Sequence, residues 1–331
     1  MNSTEQEQPE AEGAPVRKTG WISRLIVTAI TLGCFYYLYI RIAGAASRED
    51  LTVAAYMLNV FAEVDWVMWL VVMFAYSLFY FLIDTLVLTQ ALKWFIADIR
   101  YRELLPVRAS AYIISILNEQ VGKGAIGLYL YRRHNVPGWE VGSVMLFIMF
   151  CEVFYLLAWA VLGYLVTGAE LPAEFSLIPV IAGAAAVFLV CWIAFFNSNL
   201  LPGIRERKIL HAFNQAKPWH YLMFLVLRSP ALIAAIGVYT VALNLFGVDV
   251  DLLTLWPYLP IIFFAAAIPT PMRAAAITLW VVLFPDNEGQ MAAFGFVQHN
   301  FFILFNALIG LAFLRYVQRE LFEKEQAEAA A

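Results

Sequence analysis

The chain alternates long apolar stretches with short charged connections. A helix needs about 20 apolar residues to cross roughly 30 Å of hydrocarbon. Six stretches qualify: 21–43, 66–95, 138–167, 176–197, 218–247 and 289–315. Two further apolar regions are interrupted. Region 105–131 is broken by Asn118-Glu119-Gln120-Val121-Gly122-Lys123-Gly124, and region 253–284 by Pro269-Thr270-Pro271-Met272-Arg273. Arms of about 13 residues reach only ~20 Å at the helical rise, too short for a comfortable crossing. Each broken region is therefore read as a re-entrant hairpin, with two short complete spans as the alternative.

The charges between these segments set an orientation, because Lys and Arg in short loops mark the cytoplasmic side. Arg17, Lys18 and Arg24 open the chain; Arg100, Arg102 and Arg108 lie in the loop 96–108 that leads into the first broken region, and Arg132 and Arg133 follow that region. Arg205, Arg207, Lys208 and Lys217 occupy a later loop, and Arg315, Arg319 and Lys324 close the chain. The intervening loops are acidic, with Glu49, Asp50, Glu63, Asp65, Glu170, Glu174, Asp249, Asp251, Asp286 and Glu288. Sides alternate without exception if both termini are cytoplasmic and each hairpin returns to its own side. The predicted fold is an all-α polytopic membrane protein: about six transmembrane helices plus two re-entrant helical hairpins in an inverted repeat, with units at about 66–167 and 218–315. Residues 1–20 read as a disordered cytoplasmic tail, 21–318 as a single transmembrane domain and 319–331 as a cytoplasmic tail. Ala43-Gly44-Ala45 resembles a cleavage site, which leaves a cleaved leader as an alternative for the first stretch.

Composition agrees with this pattern. Of 331 residues, 63% are hydrophobic and 14% charged, against about 25% charged in a soluble domain. The net charge of −4 gives no reason to expect a nucleic-acid partner. Cys34, Cys151 and Cys191 sit in apolar stretches without paired spacing, and the four His form no cluster with Cys or acids. No metal, cofactor or catalytic residue is expected.

The candidate site is the set of polar residues where hydrocarbon should not tolerate them. Opposed breaks combine backbone punctuation (Gly122, Gly124, Pro269, Pro271) with Lys123 and Arg273, which lie 150 positions apart. Glycine permits a tight turn and proline ends one arm. Helix ends with orphan amides favour anions, so Lys123, Arg273 and the preceding Glu119 are read as lining a phosphate-headgroup site. The alternative is that each cation snorkels to headgroups. Arg228, beside Ser229-Pro230, lies about ten residues into the fifth stretch and marks either a functional cavity or a buried pair with Asp84 or Glu152. Asp84, Glu152, His299 and Asn300 are candidates for proton handling or charge balancing.

Within 105–165, Leu-Leu-Pro, a Gly-containing break, Tyr129-Leu130-Tyr131-Arg132-Arg133-His134-Asn135-Val136-Pro137 and Gly142-Ser143-Val144 follow in order. This stretch resembles the membrane region of lysylphosphatidylglycerol synthases and their stand-alone flippase-like relatives. The resemblance implies their fold and a lipid substrate. Phe147-Ile148 stand where that family carries an acidic–basic pair, and its Gly-rich second break reads here as Pro-Thr-Pro-Met-Arg. No aminoacyl-transferase domain follows the last stretch, so lipid aminoacylation is not expected. The function expected is translocation or binding of an anionic, phosphate-headgroup lipid at a midplane cationic cavity, in a cell membrane of the bacterial inner-membrane kind. The alternative is a non-transporting accessory that binds lipid or a membrane enzyme partner; a homo-oligomer is also open. An intramembrane lipid enzyme, with His299 and Glu152 as its only conceivable base pair, is the third class.

Overall fold

The computed structural model describes residues 21–117, 119–168, 177–198, 201–268 and 270–329, with side chains at 21–24, 114–117, 119–123, 272 and 315–329 outside that description. The described residues form helices and connecting turns, with no strand. In chain order the helices are α1 (Trp21–Arg48), α2 (Val53–Ala62), α3 (Trp66–Phe95), α4 (Tyr101–Leu117), α5 (Glu119–His134), α6 (Gly138–Thr167) and α7 (Ile178–Asn197). There follow α8 (Pro202–Arg205), α9 (His211–Gln215), α10 (Pro218–Asn244), α11 (Leu252–Ala266), α12 (Ala274–Leu283) and α13 (Glu288–Ala329). Six segments are long and apolar enough to cross a membrane: Leu25–Arg48, Trp66–Phe95, Gly138–Thr167, Ile178–Asn197, Pro218–Asn244 and Pro285–Leu314. These match the six apolar stretches of the sequence.

The polar punctuation falls where the helices stop. Thr52 caps α2 by accepting from Ala55 N, Asp65 caps α3 by accepting from Met68 N, and Asp251 caps α11 through Thr254 N. Each carboxylate or hydroxyl satisfies an amide that the first helical turn leaves unpaired.

One expectation about the interruptions is corrected. Gly122, Lys123 and Gly124 do not form the first break, because α5 starts at Glu119 and carries all three within helix. Helical glycine costs about 1 kcal/mol relative to alanine, less than unpaired amides cost at membrane depth. Asn118, between α4 and α5, lies outside the described residues, as do the side chains of Glu119 and Lys123 and the whole of Pro269. Helix α13 continues past 318 to Ala329. The second interruption stands: α11 ends at Ala266, Pro271–Arg273 make a 3₁₀ turn, and α12 starts at Ala274.

Packing crosses between the two halves of the chain. Helix α3 lies against α10, α4 against α13, and α11 against α6. The latter two crossings are close because each long helix presents a glycine. A Cβ on Gly163 of α6 would stand 2.9 Å from the Pro257 backbone of α11, and one on Gly310 of α13 would stand 2.8 Å from the Ala109 carbonyl of α4. Between apolar helices in lipid, association depends on such close backbone approach. Helices α1 and α2 fasten to the start of α13, where buried Glu288 pairs with Arg41 at 2.6 Å and Arg48 at 3.4 Å. Helix α7 is peripheral and joins α6 through aromatic faces, with Phe150 stacked on Trp192 and Phe154 on Phe188.

Gly163→Ala and Gly310→Ala are each expected to destabilise the detergent-solubilised protein by about 1–3 kcal/mol through overpacking. Gly183→Ala, where an added Cβ meets nothing within 4 Å, should leave the thermal midpoint unchanged or slightly raised. Thermal unfolding followed by fluorescence-detected size exclusion compares the three.

Candidate functional site

Four helices bring charge to one place in the apolar interior. Arg228 is the eleventh residue of α10, about 15 Å from that helix's start at the usual rise. Its guanidinium points away from lipid, with the side chain 6% exposed. Nη1 reaches Asp84 Oδ1 of α3 at 3.2 Å. Nε and Nη2 reach Glu152 Oε1 of α6 at 3.2 and 2.9 Å. Nη2 also donates to the Tyr80 hydroxyl at 2.7 Å, while the guanidinium carbon sits 4.8 Å from the Tyr80 ring centre. Every guanidinium nitrogen is thus engaged.

Asp84 holds a second arginine. Its Oδ2 accepts from Arg108 Nε at 2.8 Å, Arg108 Nη2 at 2.7 Å and the Tyr112 hydroxyl at 2.8 Å. Arg108 also stacks on Tyr112 at 4.8 Å. The cluster is neutral: two arginines against two carboxylates. Glu152 is its loose member, since both hydrogen bonds described for it use Oε1 and its side chain is 32% exposed against 14% for Asp84.

Local sequence explains the assembly. Tyr80 and Asp84 on α3, and Arg108 and Tyr112 on α4, are each four residues apart and share a helix face. Glu152, Tyr155 and Trp159 likewise share a face of α6 and lace it to α10 around Pro230. The Tyr155 hydroxyl donates to the Arg228 carbonyl at 3.2 Å. Trp159 Nε1 donates to Ser229 Oγ at 3.0 Å, and that hydroxyl donates to the Leu225 carbonyl at 2.7 Å.

A second polar group lies along the same interface. Tyr80 neighbours Tyr76 at 6.2 Å between ring centres, and Tyr76 neighbours Tyr239 at 5.8 Å. Gln298 Nε2 donates to the Tyr239 hydroxyl. Gln298 Oε1 and His299 Nε2 are buried and find no partner among the described residues. Arg273 is near enough to act electrostatically on both Tyr239 and His299. It is exposed, takes a left-handed φ of 55°, and has no described hydrogen-bond or ion-pair partner for its guanidinium. A non-glycine residue in that conformation costs about 1–2 kcal/mol.

The expected residues therefore divide. Arg228, Asp84 and Glu152 meet in one ion cluster. Arg273 and His299 form a separate, electrostatically linked group, and no described bond joins Arg273 to Arg228. Gly124 and Pro271 have their own places in α5 and in the turn before α12. Asn300 donates its amide to the Phe296 carbonyl of its own helix at 2.7 Å. Sequence reading missed Arg108, taken as a loop charge, and the hydroxyls of Tyr80, Tyr112 and Tyr155. The four-residue pairing of Tyr with Asp or Arg inside apolar helices was the signal that could have found them. Among the described residues no group of three or more His, Cys, Asp and Glu is arranged to hold a metal ion.

Removing one partner of a buried ion pair strands the other, at about 3–5 kcal/mol. Arg228→Met is expected to lose that much stability, and Glu152→Gln less because that side chain is partly open. In Arg228→Met/Glu152→Gln the two losses should fall short of additivity by about 1 kcal/mol or more. Thermal unfolding of all four proteins gives the cycle.

Comparison with known proteins finds no family model, no curated protein and no solved structure that matches this chain.

Proposed function

We propose that this chain is a lipid transporter of the flippase or scramblase kind, which binds the phosphate headgroup of an anionic lipid inside the bundle. The observation that carries the reading is Arg273: a guanidinium without a hydrogen-bond or ion-pair partner among the described residues, in a strained backbone position, placed where α11 has ended and α12 begins. A phosphate is the anion whose fork geometry an arginine matches, and the positive end of α12 adds to the attraction. His299 and Gln298 offer further polar atoms close by, one of each without a protein partner.

In this reading α4–α5 and α11–α12 are re-entrant pairs that enter from opposite membrane faces. Their helices hold 17, 16, 15 and 10 residues, or about 15–26 Å, against ~30 Å of hydrocarbon. The two units, α3 to α6 and α10 to α13, form an inverted repeat. Exchanging the units maps the α3–α10 contact onto itself and the α4–α13 contact onto α11–α6. Both first arms carry proline at their sixth residue, Pro106 and Pro257, and both meet a glycine of the opposite unit. Repeats of this kind place a substrate site at their interface near the midplane. The basic connections support a reading in which both termini lie on the cytoplasmic side, in a membrane of the bacterial inner-membrane kind. Lys123 belongs to α5, in the other pair.

The Arg228 cluster then serves as the charge-balanced pivot between units, not as the anion's first contact. Glu152, whose described hydrogen bonds run through one oxygen, is the member able to yield Arg228 to a passing headgroup. The resemblance of 105–165 to flippase-like membrane domains supports the lipid class. A second reading, a non-transporting protein that binds lipid or a lipid-modifying enzyme, is favoured by one fact: each nitrogen of Arg228 already has a protein acceptor.

The two readings separate in liposomes carrying fluorescent phosphatidylglycerol quenched by dithionite. Arg273→Gln should slow headgroup transfer by about tenfold or more, the loss of one charged hydrogen bond worth ~1.5–3 kcal/mol, while the thermal midpoint holds. Transfer by the wild type that survives Arg273→Gln and Lys123→Gln unchanged would overturn the phosphate site. No transfer by the wild type itself would favour the accessory reading.

A further inference from the structure

Beside α5 runs a groove of about 570 Å³, within the range of ligand-sized pockets. It is lined by Gly124 and Gly127 of α5 and by Gly138, Gly142, Met145 and Met149 of α6. Ile209, from the segment between α8 and α9, closes one end. Met149 is half exposed, so the groove is open along its length to whatever surrounds the bundle.

The glycines here differ from those at the helix crossings. At Gly163, Gly289, Gly295 and Gly310 an added Cβ would come within 3.0 Å of a neighbour. At Gly124 and Gly138 it would meet nothing within 4 Å, at Gly127 only Val141 at 4.0 Å, and at Gly142 only Ile209 at 3.6 Å. No protein contact requires these four to lack side chains, and each weakens its helix by about 1 kcal/mol relative to alanine. Their shared effect is an empty apolar channel, edged by methionines that adapt to irregular, flexible shapes.

One end of that channel is basic. Tyr131, in the lining, directly precedes Arg132 and Arg133, and Arg133 is exposed. Lys208, next to Ile209, places Nζ 5.8 Å from the ring centre of Trp139, next to Gly138. The acids of that region are Glu140 in the first turn of α6, Glu206 two residues before Lys208, and Glu103, 4.0 Å from His134. An apolar channel parallel to membrane helices with cations at its surface end matches one ligand shape: an acyl chain below a phosphate.

We propose that this groove seats an acyl chain of an anionic phospholipid from the leaflet at the basic end, with the headgroup held by Arg133 and Lys208. It is a site separate from Arg273. The inference rests on the lipid-handling reading for its ligand class, but its test needs no transport.

The purified full chain is reconstituted in nanodiscs containing phosphatidylglycerol with a photoreactive diazirine on one acyl chain, or the matching phosphatidylcholine. Label is mapped by mass spectrometry after irradiation. Label concentrated on residues 124–149, and stronger with phosphatidylglycerol, is the expected result. Gly124→Leu/Gly138→Leu fills the channel where added atoms have room, and should cut that label about tenfold, the equivalent of ~1.4 kcal/mol. Arg133→Gln/Lys208→Gln should erase the preference for phosphatidylglycerol. Label spread evenly over all lipid-facing helices of the wild type would overturn the site whether or not the leucine variant folds. Equal labelling by the two lipids would overturn the headgroup assignment, and cross-links from this face to a second copy of the chain would replace the lipid with a protein neighbour. Groove labelling in a protein that moves no lipid would uphold this site and count only against transport; transport without groove labelling would do the reverse.

Discussion

A guanidinium in the middle of an apolar bundle has no water to hydrate it, so its charge and its N–H groups must be satisfied by the protein. Arg228 meets that condition with acceptors drawn from α3 and α6, and Asp84 extends the requirement to Arg108 on α4. The consequence is mechanical as well as electrostatic. Four helices cannot separate or rotate far without exposing a charge to hydrocarbon. Three of them, α3, α4 and α6, come from one half of the chain, while α10 comes from the other. The ion cluster therefore fixes the register of the two halves at the level where they meet.

Close packing does the same work away from the charges. Lipid tails are as apolar as leucine side chains, so burying apolar surface gives helices little reason to associate in a bilayer. The α6–α11 and α4–α13 crossings instead rely on backbone approach at Gly163 and Gly310. Each joins a long helix of one half to a short helix of the other. The short helices α4 and α11 are thus held by the opposite half, and the breaks that follow them are positioned by it too.

The six long helices were legible because their signal is compositional: some twenty apolar residues without charge have few other stable uses. Arg228, Asp84 and Glu152 were legible individually, because an ionisable group inside such a stretch is conspicuous. Their union was not, since it depends on which faces of α3, α6 and α10 meet, and apolar stretches leave rotation unspecified. Arg108 was hidden for a related reason. It lies where a loop was expected, and only the early start of α4 at Tyr101 brings it into the bundle. The first break was misplaced because Gly122 and Gly124 read as turn residues. Within α5 the missing side chain of Gly124 acts on space rather than on backbone conformation, opening onto the groove against α6.

Charge balance separates the buried Arg228 cluster from exposed Arg273. Arg228 and Arg108 are offset by Asp84 and Glu152, so this cluster attracts an external anion only if one of its internal pairs opens. Glu152 is the pair that opens most cheaply, because it is the more exposed acid and its contacts run through a single oxygen. Arg273 has no such offset among the described residues, and it lies along the same interface, connected through Tyr239, Tyr76 and Tyr80. An anion approaching this interior meets the uncompensated charge first and the compensated one only at the cost of displacing Glu152. In the proposed lipid-transport reading, that ordering supplies a binding step at Arg273 and a barrier at Arg228: an attractive site alone would hold the lipid, and a neutral cluster alone would not admit it.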